Sequence, residues 1–340
     1  MPSQSTKAHP PSVQVTNVEA WSQLLRKHQR PVLVHLNADT TWLVQLPFPA
    51  AATPPAGRTR FNILVDPWLQ GSQSDVAWWF STQWHVIPPS VATVAELNAA
   101  LREAEGSLGD EAPGSLKSFI DAVVVSHEFT DHCHRATLEQ LPRDTPVFAP
   151  DVAAVLIRSW GHFTRVFATQ DLKEGEKWMT LRADALPSWV GIGRITSPGN
   201  ALYFHSAMLI AIERHDSSAE VIIYSPHGID SQDLSNVKSS GLHTLALLHG
   251  MHDVRLWMMK QLNLGALNGI RAAAASGARY WIATHDEVKT SSGVISSFLQ
   301  RIRYTLKEAV ANEESVLTES GLAPSYTFVE LGCGDALVLD

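Results

Sequence analysis

The sequence predicts an α/β protein in which two mixed sheets pack face to face with helices outside. Three observations lead there. The first part of the 340-residue chain reads mostly as strand and hairpin, and the later part alternates strand with helix. No linker or fixed-period repeat divides the two. Several apolar runs also stop in a histidine or an aspartate, so polar chemistry gathers at strand ends.

Residues 1 to 15 are polar and proline-bearing and read as a disordered tail, ahead of a single domain over 16–340. From Val18 to His28, Val18, Trp21, Leu24 and Leu25 share one helical face behind Asn17, a natural N-cap. Val32 to Leu36 and Trp42 to Leu46 form a hairpin around Asn37-Ala38-Asp39-Thr40. Phe61 to Val65 is the next strand, ending at Asp66-Pro67. A connection carrying Trp68, Trp78, Trp79 and Trp84 leads to a helix over Val94 to Ala104 and a loop from Gly106 to Gly114. Val123-Val124-Val125 is β-branched and wholly apolar, the mark of a buried strand. After a helix near Leu138 come a strand, Val147 to Ala149, and a helix, Val152 to Trp160. Later strands are expected at Trp178 to Arg182, Ala207 to Glu213, Val221 to Tyr224, Thr244 to Leu248 and Tyr280 to Ala283. Tyr326 to Leu331 and Ala336 to Leu339 close the chain as strands, while Leu256 to Ala275 and Gly293 to Val310 read as helices.

Apolar content of 45% and charged content of 18% are those of an ordinary globular protein. A net charge of −8 with scattered basic residues argues against nucleic acid or anionic membrane as partners. No run approaches the roughly 18 apolar residues of a membrane span. Two cysteines, Cys133 and Cys333, suit a reducing compartment, and the first residues lack the apolar core of a secretory signal, so a cytoplasmic protein is expected. Oligomeric state is open.

The chemistry concentrates where the valine strand ends, in Ser126-His127-Glu128-Phe129-Thr130-Asp131-His132-Cys133-His134. Imidazole and carboxylate together are ligands for zinc, iron or manganese. His227, His249 and His285 also follow apolar runs, and strand ends on one edge of a sheet can bring remote ligands together. No Gly-x-Ser-x-Gly elbow and no phosphate loop competes with this reading.

Leu64-Val65-Asp66-Pro67-Trp68, Ser126-His127-x-x-x-Asp131-His132 and Trp281-Ile282-Ala283-Thr284-His285 together resemble the metallo-β-lactamase fold superfamily over residues 30–290. Asp131-His132-Cys133-His134 and Pro226-His227-Gly228 are similar to a fungal and plant branch of it. The resemblance implies a four-layer αβ/βα sandwich. It also implies a motif His-x-His-x-Asp-His feeding two metals, in which Phe129 stands here for the second histidine. Carried over, Asp131, His132 and His285 survive as ligands of one metal, with His227 in the place of a bridging aspartate, as ligand or as donor behind one. The later histidine of the other metal has no clear match; Asp184 lies near its place, and His205 is a weaker candidate. One divalent ion, zinc or else iron or manganese, is therefore expected.

The remaining positions carry alternatives. His127 is a ligand or a proton donor, and His134 belongs to the site or begins a helix. Asp66 orients a ligating imidazole by accepting its other N–H. His249 lines the pocket as a second candidate proton donor or is structural, and Cys133 packs. Trp78, Trp79 and Trp84, with Phe129, wall a substrate pocket or plug the sandwich edge. A bound divalent metal lowers the pKa of water from about 15.7 toward 7. The expected activity is thus hydrolysis of an ester, lactone, amide or phosphodiester in a small molecule, Asp131 orienting the water. The alternatives are a catalytically silent binding protein and a redox or lyase metalloenzyme.

Overall fold

The β-branched runs pair into two large sheets. The computed structural model describes residues 10–75, 77–106, 118–197, 204–214, 216–256, 260–294, 298–319 and 326–340. Its first strands are β1 (Ser12–Gln14), β2 (Val32–His35), β3 (Trp42–Pro47) and β4 (Arg60–Val65). The short β5 (Gln73–Ser74) and β6 (Thr82–Trp84) precede β7 (Ala122–Val124), β8 (Val147–Ala149) and β9 (Val166–Ala168). Next come β10 (Val190–Thr196), β11 (Ser206–Glu213), β12 (Ala219–Ser225), β13 (Leu242–His249), β14 (His252–Leu256) and β15 (Lys260–Asn263). The last are β16 (Tyr280–Ile282), β17 (Thr290–Ser292), β18 (Leu299–Arg303), β19 (Thr327–Val329) and β20 (Asp335–Val338). The main helices are α1 (Val18–Lys27), α2 (Val94–Glu105), α3 (Arg135–Leu138), α4 (Asp151–Ser159), α5 (Asn236–Ser239), α6 (Ala266–Ser276) and α7 (Leu306–Glu319).

One sheet runs β1-β20-β2-β3-β4-β7-β8-β9 and the other β10-β11-β12-β13-β16-β19. Side-chain parity builds the layers. Along β4, Ile63 and Val65 join the core shared by both sheets, with Ile192, Met208, Ile210, Ile222 and Leu248. Leu64, between them, joins the core under α1 and α2, with Trp21, Leu24, Leu97 and Leu101. On the far side Val221, Ile223 and Trp281 pack with Ile270 and Ala273 of α6. The order helix, sheet, sheet, helix is the expected four-layer sandwich.

In both sheets the strands that carry the site are parallel. β4 pairs β7 and β7 pairs β8, while β12 pairs β13 and β13 pairs β16. Parallel strands buried on both faces must be apolar throughout, which is why Val123 and Val124 read as a continuous run. Their carboxyl ends leave the sheets on the same side, and an open α/β sheet places ligands there.

Several elements differ from expectation. Ser12–Gln14, within the expected tail, pairs with β20, with Val13 opposite Ala336; residues 1–9 lie outside the described residues, as do 107–117 of the expected glycine-bearing loop. Residues 178–181 form a 3-10 helix in place of a strand, and the neighbouring strand β10 was not foreseen. Gly193 explains the second miss, since a Cβ there would sit 2.4 Å from the Leu181 side chain. The glycine that lets the 3-10 helix press on β10 also hides the strand pattern. Residues 256–275 hold the end of β14, then β15, with helix only from Ala266; 293–310 likewise hold β18 before α7 begins. Residues 257–259 and 295–297 of those spans lie outside the described residues. In both, apolar spacing fitted a helix, but pairing of β14 with β15 and β18 decided the backbone.

Candidate metal centre

Three strand ends of two sheets supply the imidazoles. His127, Asp131 and His132 lie on the turn after β7, where the His132 and Cys133 N–H groups donate to the Phe129 carbonyl at 2.9 and 2.8 Å. His227 follows β12, and His285 follows β16. His285 takes φ +58°, as does Asp66 at +43° beyond β4, so both chains turn sharply at the sheet edge. Gly228, at φ +82°, completes the Pro226-His227-Gly228 turn. A Cβ there would lie 2.6 Å from Leu264 Cβ and 2.9 Å from His249 Nε2, so only glycine holds this turn.

Each central ring is anchored from behind. His132 Nδ1 donates to Asp66 Oδ2 at 2.6 Å, and Asp66 also accepts from the Ser126 N–H and hydroxyl. His227 Nδ1 donates to Asn263 Oδ1 at 2.8 Å, and His285 Nδ1 to Asp39 Oδ1 at 3.0 Å. With the Nδ1 protons so committed, the Nε2 lone pairs face inward. His132 Nε2 and His227 Nε2 lie 3.0 Å apart, a contact that calls for a shared proton or a cation between them. Asp131 Oδ1 is 3.6 Å from His132 Nε2, and Asp131 Oδ2 is 3.9 Å from His285 Nε2. Two ligand triads result, His127-His132-His227 and Asp131-His132-His285, all buried and sharing His132. The donor chemistry fits a divalent ion, and oxygen partners behind each imidazole are what a metal site requires.

The electrostatics are divided. Burial pushes the Asp131 carboxyl up, but the Lys289 ammonium and the surrounding imidazoles overcome it and hold Asp131 well below its usual range. Lys289 Nζ sits 2.9 Å from Asp131 Oδ2 and 2.6 Å from Asp39 Oδ2, and against the cost of burial the two carboxylates hold its pKa above normal. Burial, helped by His127, His132 and His285, drives the His227 pKa far down. His132 goes the other way: burial lowers it, but Asp131 and Asp66 outweigh that, so it is the ring that most readily holds a positive charge.

The structure therefore brings His127, Asp131, His132, His227 and His285 together, with Asp66 behind them. Phe129 lies beside them, stacked on His127 at 5.8 Å and on Phe204 at 4.9 Å. It does not bring in His134, whose Nδ1 meets Thr137 Oγ1 at 2.9 Å at the start of α3. His249 is also elsewhere: its Nδ1 contacts the Gly250 carbonyl and its Nε2 accepts from Asn268 Nδ2, both at 2.9 Å, so neither nitrogen is left for proton transfer. His205 Nδ1 meets the backbone carbonyl of His227 at 3.3 Å, and Asp184 is exposed. Trp78 and Trp79, before β6, are 77% and 55% exposed and Trp84 is 39%; the aromatic rings in contact with the cluster are Phe129 and Phe204.

Asp39, Lys289, Asn263 and Phe204 were not foreseen. An aspartate in a turn between two apolar strands was a signal for Asp39, which is fully buried with its N–H donated to Asn37 Oδ1. Asn263 was hidden in a misread helix, and nothing in the sequence marks Lys289.

No family model and no curated protein matches the chain. Among solved structures, a possible metal-dependent hydrolase from Veillonella parvula is similar at TM-score 0.51 and 13% identity, covering 91% of this chain and 100% of that one. Isothiocyanate hydrolase from Delia radicum gut bacteria gives 0.52 and 13%, covering 90% and 98%. CmlA, a diiron β-hydroxylase from Streptomyces venezuelae, gives 0.52 and 12%, covering 92% of this chain and 55% of its own. The fold is that of the metallo-β-lactamases. Identities this low carry the fold alone. Phe129, stacked on His127, packs that corner with an apolar ring and offers no donor there.

Proposed function

We propose that the chain is a metal-dependent hydrolase of a small organic substrate carrying an ester, lactone, amide or phosphodiester bond. The convergence of His132, His227, His285 and Asp131, with each Nδ1 already tied to an oxygen, carries this reading. The donor set suits zinc, and iron or manganese would also be accepted. When bound, such an ion supplies an acidified water and a Lewis acid for the scissile group's oxygen. The chain's own residues do the rest. Asp131, kept ionised by Lys289, accepts a hydrogen bond from the attacking water and orients it. His127, 4.6 Å from His227 between ring centres, completes the imidazole side of the site with His132. Phe129 and Phe204 limit water access and offer ring faces to an apolar substrate.

Two of the similar structures are named hydrolases, which agrees with this reaction class. The diiron protein makes iron-based redox chemistry the alternative, and metal identity separates the two. We also place the protein in the cytosol, a reading supported by its two unpaired cysteines. Metal analysis of the purified protein is the test. About one zinc, iron or manganese per chain is expected, and none, even after reconstitution, would sink the proposal and leave a silent binding protein.

A further inference from the structure

Within the metal-binding reading just given, we propose that Lys289 is a resident cation standing in for a second metal ion. On this view the site holds a single ion in its imidazole half, and Lys289 is the positioning residue that fixes Asp131 beside it.

Lys289 is not a surface lysine that happens to lie close. Its side chain is 7% exposed, and its ammonium is held at 2.6 Å by Asp39 Oδ2 and at 2.9 Å by Asp131 Oδ2. It also lies 5.2 Å over the ring of Trp68, a fully buried residue whose N–H donates to the Gly71 carbonyl. Two carboxylates and an aromatic face form a cage for a cation. The cage is rigid, because Asp39 is fixed through its other oxygen by His285 and through its N–H by Asn37.

The cage falls in one half of the site. The triad Asp131-His132-His285 shares its carboxylate with the ammonium, and Asp39, bonded to His285, is the other carboxylate there. An ion placed in that triad would meet Lys289 across a single oxygen atom, in a buried setting where like charges repel strongly. The triad His127-His132-His227 contains no carboxylate. A divalent ion there meets imidazole nitrogens only. The chain thus seats an ammonium between the two carboxylates of one half, and leaves the other half for the metal.

Zinc stoichiometry tests this on the full chain. Apo protein is reloaded with zinc alone and counted by mass spectrometry, for wild type, Lys289→Met and Lys289→Arg. One zinc is expected in wild type and in the arginine variant, and two in the methionine variant, the second bound more weakly. Two in wild type, or one in a folded Lys289→Met, overturns the proposal. None in wild type overturns the metal reading itself, and this inference with it. Should Lys289→Met fail to fold, an anomalous-scattering map of zinc-loaded wild type decides. An ion on His127, His132 and His227, with Lys289 still on Asp131, supports the assignment. An ion bound by Asp131 and His285 with Lys289 displaced refutes it.

Discussion

His127, His132 and His227 meet ring to ring, the anchoring oxygens of His132 and His227 lying behind them, whereas Asp131, Asp39 and Lys289 meet as full charges already paired. The two halves lie on either side of His132, yet burial acts on them differently. In the first it strips charge from the His227 ring and leaves lone pairs in need of a cation. In the second two carboxylates share one ammonium and the neighbouring imidazoles, so they stay ionised at depth. A buried site can thus be apolar in its electrostatics on one side and ionic on the other, provided one residue serves both.

His132 is that residue, so its loss should have the largest effect. His132→Ala should lower zinc affinity by more than about 100-fold, beyond what loss of an outer partner does. Chelator competition measures this, and a variant that keeps its metal while folded would break the shared-ligand view. Next is Asp39→Ala, which leaves Lys289 on Asp131 alone and His285 Nδ1 without its acceptor; a buried donor left unpaired costs about 1–3 kcal/mol, readable by urea denaturation. Loss of less than ~1 kcal/mol would mean that the ionic half is more hydrated than its burial indicates. Asp66→Asn, which weakens the anchor behind His132, should cost about 10–100-fold in zinc affinity with the fold kept. Phe129→His, returning a donor to the imidazole half, should raise zinc affinity about tenfold, a gain absent if the metal sat on Asp131 and His285 instead.

His249→Gln is the control. It should leave zinc affinity within about twofold, since neither half uses that ring. It should nevertheless alter the pH dependence of stability. Burial depresses the His249 pKa from 6.5 to about 4. The unfolded chain therefore binds the proton first, so the contribution of this residue is present above pH ~6.5 and is lost as pH falls through about 4. Thermal denaturation between pH 7 and 4 should show a shallower loss in the glutamine variant.

Much of this arrangement was legible in the sequence. β4, β7, β12, β13 and β16 announced themselves because strands buried on both faces must be apolar at every position, and a polar residue directly after such a run is conspicuous. Asp131, His132, His227 and His285 were found in that way. What was missed depends on contacts the sequence does not order. Lys289 and Asp39 are separated by 250 positions and meet only when both sheets are stacked. β14 and β18 are half-exposed strands whose spacing imitates a helix, and their pairing decided otherwise. Composition likewise showed aromatic rings near a strand end, but not that Phe204, 77 positions beyond His127, would stack on Phe129 beside the site.

His127, Asp131 and His132 hang from one sheet, and His227 and His285 from the other. An ion held at His132 and His227 is therefore a rivet through the seam of the sandwich, and its binding is also a mechanical event. A ligand at a hundred times its dissociation constant adds about 2.7 kcal/mol against any opening that separates its donors. The unloaded chain should breathe along this seam, and amide exchange in the flanking strands should slow on loading even where no residue touches the ion. Metal supply would then set how long the folded chain survives proteolysis, as well as whether it turns over.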